Sequence, residues 1–274
     1  MVTEHIEPPV DAALGGGGPA GTGFLWPRLR DLGHSAPLRW VDRGFHDMLA
    51  APFPSLFYGA VLALMGYLLT TFYGGAIGLA LTTGFLLIGP FLAVGLYDLS
   101  RQLEAGRRPP DFAASLSAWR DNLPAIGFYA LILMLSLAVW MRVSVVLIAL
   151  FIPEGVESFG DLLARLLKTP DAWVFAFVYV AVGAFLAAFS FATSAVALPL
   201  LRDHASADAI SAMIVSFQVI RRQPRVMALW AAIIVLAIAA GFITWFLGLV
   251  VTVPLIGHAT WHAYRDTLDF TAEA

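Results

Sequence analysis

Between residues 36 and 268 the chain alternates short amphipathic stretches with long apolar runs. A bilayer core about 30 Å thick takes roughly 20 helical residues to cross. On that measure the pattern predicts six spans, over about 54–72, 74–99, 124–142, 172–201, 226–241 and 243–264. Gly74-Gly75 forms the turn between the first two. The third run continues to Ile152, too far for one straight crossing, so 143–152 is expected at the outer surface. Residues 157–168 join it there, with Phe159, Leu162, Leu163, Leu166 and Leu167 on one face. The uncharged run Val226 to Gly257 would be about 48 Å long as a single helix, so it is divided near Gly241.

The short stretches are spaced alike. Leu38, Val41, Phe45, Met48 and Leu49 share one helical face; so do Phe112, Leu116 and Trp119; so do Ile210, Met213, Ile214, Phe217 and Ile220. Each stretch meets a proline, Pro52, Pro124 or Pro224, where the chain turns into an apolar run. The pattern therefore predicts one unit used three times: amphipathic helix, proline, membrane hairpin. Phe45, Trp119 and Phe217 are expected at the membrane interface. The fold class is an all-α membrane protein of six transmembrane helices in three hairpins, each preceded by a cytoplasmic amphipathic helix. Residues 1–35 and 269–274 are expected to be tails, the first flexible, with Pro8-Pro9 and Gly15 to Gly18.

Composition agrees. Hydrophobic residues make up 59% and charged residues 13%, about half the charge of a soluble domain. The absence of cysteine excludes disulfides, thiolate zinc sites and iron–sulfur clusters. Residues 1–24 have neither the basic start nor the apolar segment of a signal peptide. The distribution of basic residues gives the orientation. Six spans leave only Arg165 and Lys168 on one side. Arg28, Arg30, Arg39, Arg43, Arg101, Arg107, Arg108, Arg120, Arg202, Arg221, Arg222, Arg225 and Arg265 fall on the other. Positive charge stays cytoplasmic, which places both termini and all three short helices there.

Candidate chemistry is sparse. Arg142 is charged inside an apolar run, which marks a functional candidate by default. Its depth, about 27 Å from Pro124, instead predicts that it snorkels to the outer interface beside Trp140. His258, His262 and Asp266 recur every four residues along one helix face. Two histidines four apart can ligate one metal, but the intervening glutamate of HExxH is absent. The expected reading is a helix leaving the membrane, its histidines solvated at the headgroups, with no obligatory metal or cofactor. His262 and Asp266 would then form at most a surface pair. Replacing both histidines with glutamine should then leave folding nearly intact. Pro254 precedes His262 by eight residues, as Pro90 precedes Asp98, so a polar helix end belongs to the repeated unit. Asp98, Arg101 and Asp203 are expected to be solvated or paired with one another. No Walker loop, GxSxG or dinucleotide fingerprint occurs, and the GGGG run precedes no strand–helix unit.

Three stretches, GFLLIGPFLAVGLYDLSRQLEAG (84–106), Trp119 to Pro124 and PLIGHATWHAYRD (254–266), resemble a bacterial family of predicted integral membrane proteins, domain of unknown function 2189. The resemblance extends over about residues 36–268. It implies a six-helix inner-membrane protein and no assigned activity, so no catalytic residue carries over. The leading expectation is a non-enzymatic accessory, assembly or scaffold factor. Its partners would be the lipid bilayer and another membrane complex or a second copy, and no nucleic acid. A small-solute or lipid transporter is the alternative, favoured by glycine-rich spans, and a metal or haem protein using His258 and His262 is the third.

Overall fold

The computed structural model describes residues 26–71, 75–152 and 170–270, and side chains within these apart from those of residue 70 and residues 75–88 and 170–171. The expectations for the glycine turn at 74, for residues 157–168 and for residues 1–25 lie outside them.

Among the described residues the chain is helical, with short connections and one pair of two-residue strands. Helix α1 spans Ala36–Ala50, α2 Pro52–Thr71 and α3 Gly75–Glu104. Helix α4, Phe112–Ser117, runs through a 3₁₀ turn, Ala118–Asn122, into α5, Leu123–Phe151. Then come α6, Pro170–Ser194; α7, Ala197–Asp203; α8, Ala209–Arg222; α9, Pro224–Ile243; and α10, Leu249–Thr267. Pro52, Pro124 and Pro224 all fall in the first turn of a long helix. There the missing N–H breaks no helical bond and the fixed φ favours the start. Asp111 and Asp208 cap α4 and α8 by accepting from the amides of Ala114 and Ser211, each at 2.9 Å.

Among the described residues, four stretches are long and apolar enough to cross a membrane: Pro52–Leu69, Phe112–Phe151, Ala172–Asp203 and Pro224–Ile243. Three boundaries differ from expectation, one of them in the fourth run, expected over 172–201, where α6 ends at Ser194 and α7 begins at Ala197. Helix α5 does not stop at Arg142 but continues to Phe151 over 29 residues. Nothing between Met141 and Ile152 breaks a helix, and an apolar helix surrounded by lipid needs no reason to end. The last apolar run divides not at Gly241 but at a turn over 244–248, with Trp245 and Phe246 at φ 53° and 70°.

Helix α10 is the centre of the bundle, with α1, α2, α3 and α9 packed around it. Small residues allow close crossings. A Cβ on Gly44 of α1 would come within 2.6 Å of the Ala259 amide nitrogen, and one on Gly59 of α2 would strike the Val250 carbonyl. The expected tail boundaries also move. Strand β1, Arg28–Leu29, pairs antiparallel with β2, Leu268–Asp269. The Arg30 amide donates to the Thr267 carbonyl at 3.0 Å, and Arg30 pairs with Asp269. Residues 26–35 and 268–269 are thus ordered and join the two ends of the fold.

Helices α1 and α8 turn an apolar stripe outward, whereas in α4 Phe112 packs edge-on against Phe53, Phe57 and Tyr58 and, of its large side chains, only Leu116 stays out. Leu38, Phe45 and Leu49 of α1, Leu116 of α4, and Ile210, Ile214 and Phe217 of α8 are exposed. The faces against the bundle carry Trp40 and Gly44 in α1, Ser115 in α4, and Ala212, Val215 and Ser216 in α8. Met48 lies on the buried side of α1 rather than with Phe45. Trp119 is half-buried, edge-on to Phe91 at 5.7 Å.

Candidate functional site

Every residue of α10 from Ile256 to Tyr264 is buried, yet the segment reads IGHATWHAY. A helix polar on several faces can be buried all round only if each polar group finds a partner. Each does. Ser55 Oγ donates to the Ala51 carbonyl at 2.7 Å, so it accepts from His258 Nε2 at 2.9 Å. That fixes the tautomer, and Nδ1 accepts from Ser100 Oγ at 2.7 Å. Thr260 donates to the Ile256 carbonyl. Trp261 Nε1 donates to Glu104 at 2.9 Å, His262 Nε2 to Asp47 at 2.8 Å and Tyr264 to Asp203 at 2.8 Å. Asp266 accepts from Trp40 Nε1 at 2.9 Å and from Arg43.

Apart from the Ile256 carbonyl of α10 itself, these partners come from four other helices, α1, α2, α3 and α7, and are charged groups, hydroxyls or an indole. Burial, the largest single influence, pushes the Asp47 carboxyl up, but the opposing influences, led by the hydrogen bond and charge of His262, together hold Asp47 below its ordinary value.

The expectation of solvated histidines is therefore corrected. His258 is fully buried and His262 nearly so. Helix α1 covers them, because Gly44 lets its backbone close onto α10. Nor do His262 and Asp266 pair with each other: both turn to α1, one to Asp47 and the other to Trp40 and Arg43. Both ring nitrogens of His258 are engaged, and no group of three or more His, Asp or Glu among the described residues is placed to hold a metal.

A second cluster adjoins the first. Asp98 is buried and takes two bonds from Arg202, at 3.1 Å from Nε and 2.5 Å from Nη2, and one from Gln102 at 2.7 Å. Arg202 reaches on to Asp121 at 2.9 Å. Arg101 and Asp203 pair at 3.2 Å, as expected of charges at neighbouring helix ends, and Arg265 bridges Asp203 and Glu104. Asp98 is thus not solvated: Arg202 of α7 closes over it.

Arg142 stands apart, exposed on α5. Trp140, two residues earlier, packs against Tyr179 with ring centroids 4.9 Å apart and planes tilted by 59°, and lies over Gly183. Trp119 joins neither polar cluster; its Nε1 donates to the Leu116 carbonyl and Arg120 lies 5.2 Å over its ring. Sequence reasoning missed Ser55, Ser100, Asp47, Glu104 and Trp40. Ser55 and Ser100 carried a faint signal as isolated hydroxyls near the ends of apolar runs. An apolar cavity of about 150 Å³ lies beside the hub between α2, α3, α9 and α10, lined by Leu62, Tyr97, Ile238, Val253 and Gly257 among others.

Apolar helices exposed around an internally bonded polar centre define an integral membrane protein. Residues 78–203, from within α3 to the end of α7, match the family described as predicted integral membrane protein, domain of unknown function 2189. The match takes in Asp98, Ser100, Glu104, Asp121, Arg202 and Asp203, whereas α1, α2 and the histidine helix lie outside it. No curated protein and no solved structure matches the chain.

Proposed function

We propose that the chain is a non-enzymatic accessory, assembly or scaffold factor of a bacterial inner membrane, built from three units of short interfacial helix and membrane hairpin. In this reading α2, α3, α5, α6, α9 and α10 are six spans, and both termini and all three short helices lie on the cytoplasmic side. The β1–β2 pair supports placing residues 28 and 269 on one side, and the basic residues support that side being cytoplasmic. One observation carries the functional reading: the polar side chains of α10 from His258 to Asp266 are spent on internal partners, while α1 and α8 present apolar surface outward. That division suits a protein that holds shape and offers surface, rather than one that receives a polar substrate.

Purification in mild detergent is the test, and it should bring down a stoichiometric membrane partner or a defined homo-oligomer. A protein that purifies as a lone monomer would overturn the reading. A reporter active only in the periplasm, fused after Ala274, should stay silent; activity would overturn the topology. The apolar cavity beside the hub favours one second reading, passage of a small apolar solute or lipid. Flux through liposomes holding the purified protein alone would support that reading.

A further inference from the structure

We infer that the elbow between α8 and α9 is a recognition surface for anionic phospholipid, with Arg221 and Arg225 holding the headgroup phosphate and the outer stripe of α8 seated among the acyl chains. Ile210, Ile214, Phe217 and Arg221 stand at intervals of four, three and four along α8 and so share one face. All four are exposed. The opposite face, through Ala212, Val215 and Ser216, is the one that meets the bundle. An exposed apolar stripe ending in arginine is the pattern of a helix lying in the headgroup layer. Arg225 follows in the first turn of α9, beyond Pro224, and is exposed as well.

Charge accounting points to the ligand. Each described carboxylate at this end of the bundle is already engaged within the chain, in an ion pair or, for Asp208, as a helix cap. Arg222, between the two arginines of the elbow, is itself taken by Asp31 at 3.0 Å. Arg221 and Arg225 have no carboxylate partner among the described residues, and both guanidinium groups face outward at the elbow. A guanidinium fork matches phosphate oxygens, and the adjoining apolar stripe makes a lipid rather than a free anion the occupant. The inference stands on the membrane reading and does not depend on the identity of any protein partner.

The test measures the relative association of spin-labelled phosphatidylglycerol and phosphatidylcholine with the full chain in phosphatidylcholine bilayers. The wild type should prefer phosphatidylglycerol, and the preference should fall about fivefold for each arginine removed in Arg221→Gln and Arg225→Gln. Both are surface changes, and an unchanged elution profile checks that the fold survives. Arg142→Gln, which removes an exposed arginine from α5, should leave the preference intact. Replacing chloride with inorganic phosphate at matched ionic strength should also leave it intact. An unaltered preference in the Arg221→Gln/Arg225→Gln double variant overturns the proposal. So does an equal loss in Arg142→Gln, which would show a mere count of charges, or abolition by free phosphate.

Discussion

Helices α5 and α10 both come from long apolar runs, yet they occupy opposite places in the molecule. Helix α5 has 29 residues, of which Ile126, Tyr129 and Ala130 are buried, all within its first third. Helix α10 has 19 residues and is buried on every side from Ile256 to Tyr264. In water the more apolar helix would take the centre. In a bilayer an apolar side chain gains nothing by leaving lipid for protein, whereas a polar one gains a partner. Burial therefore follows polarity, and α10 is central because it carries two histidines, a threonine, a tryptophan and a tyrosine within seven residues. The same contrast separates the two ends of the bundle. One is held by ion pairs and hydroxyls, the other by ring contacts such as Trp140–Tyr179 and Phe175–Tyr179 at 4.9 and 5.4 Å.

The sharpest way to break this comparison is to strand a buried charge at the polar end. Asp98→Ala leaves Arg202 buried beside α3 with Asp121 alone to pair with it. Removing one member of a buried pair costs about 3–5 kcal/mol, so thermal unfolding in detergent should show a large fall in Tm. The double variant Asp98→Leu/Arg202→Met should recover most of the loss, since an apolar pair needs no partners. If Asp98→Ala unfolds at the wild-type temperature, polarity does not organise this end.

The next effect in size is at the histidines. His258→Gln/His262→Gln removes the ring that joins Ser55 to Ser100 and the donor to Asp47. Unsatisfied buried groups cost about 1–3 kcal/mol each. The double variant should be less stable by about 2–4 kcal/mol on that scale, which reverses the expectation of near-neutrality. A helical circular dichroism melt coinciding with the wild type would restore the solvated picture.

Much of this fold was legible in the chain. Pro52, Pro124 and Pro224 marked the starts of three long helices, because proline is tolerated in a first turn and little else of a helix. The outward apolar stripes of α1 and α8 were also visible, since period alone gives them. The burial of α10 was not. Its polar residues read as a wet helix end because polarity near the end of an apolar run signals water in most contexts. What reverses that reading is α1, whose Gly44 allows a close approach and whose Asp47, Arg43 and Trp40 lie more than 200 residues away in sequence. Such pairings carry no local period. Arg202 was likewise unreadable as the partner of Asp98, since nothing in a single chain links positions so far apart.

A smaller effect distinguishes the two helices by pH. The Asp47 carboxyl lies below its ordinary value of 3.8 in the folded protein. Its contribution to stability is therefore fully present above that value and is lost as pH falls through the lower, folded one. Acid melts should show Tm falling below about pH 4, and Asp47→Asn should flatten that part of the profile while lowering Tm at neutral pH. The described residues of α5 include no carboxylate, so variants there should shift the whole profile without changing its shape. An identical acid limb in Asp47→Asn would show that other carboxylates account for it.

The smallest effect is expected at Arg142, and its smallness is informative. An arginine in an apolar run of α5 invites the reading of a buried functional charge. The side chain is instead exposed on a helix whose neighbours at this level, Met141, Val145 and Val146, are exposed too. A long arginine stem can lie along the helix and carry its head to the interface, so removing the charge strands nothing. Arg142→Gln should change stability by no more than about 0.5 kcal/mol. Arg142→Leu should be equally mild or slightly stabilising, since it relieves the cost of holding a guanidinium near lipid. Paired Tm measurements on these two variants and Asp98→Ala set the scale: a loss at Arg142 approaching that at Asp98 would mean that α5, too, carries a charge on which the fold depends.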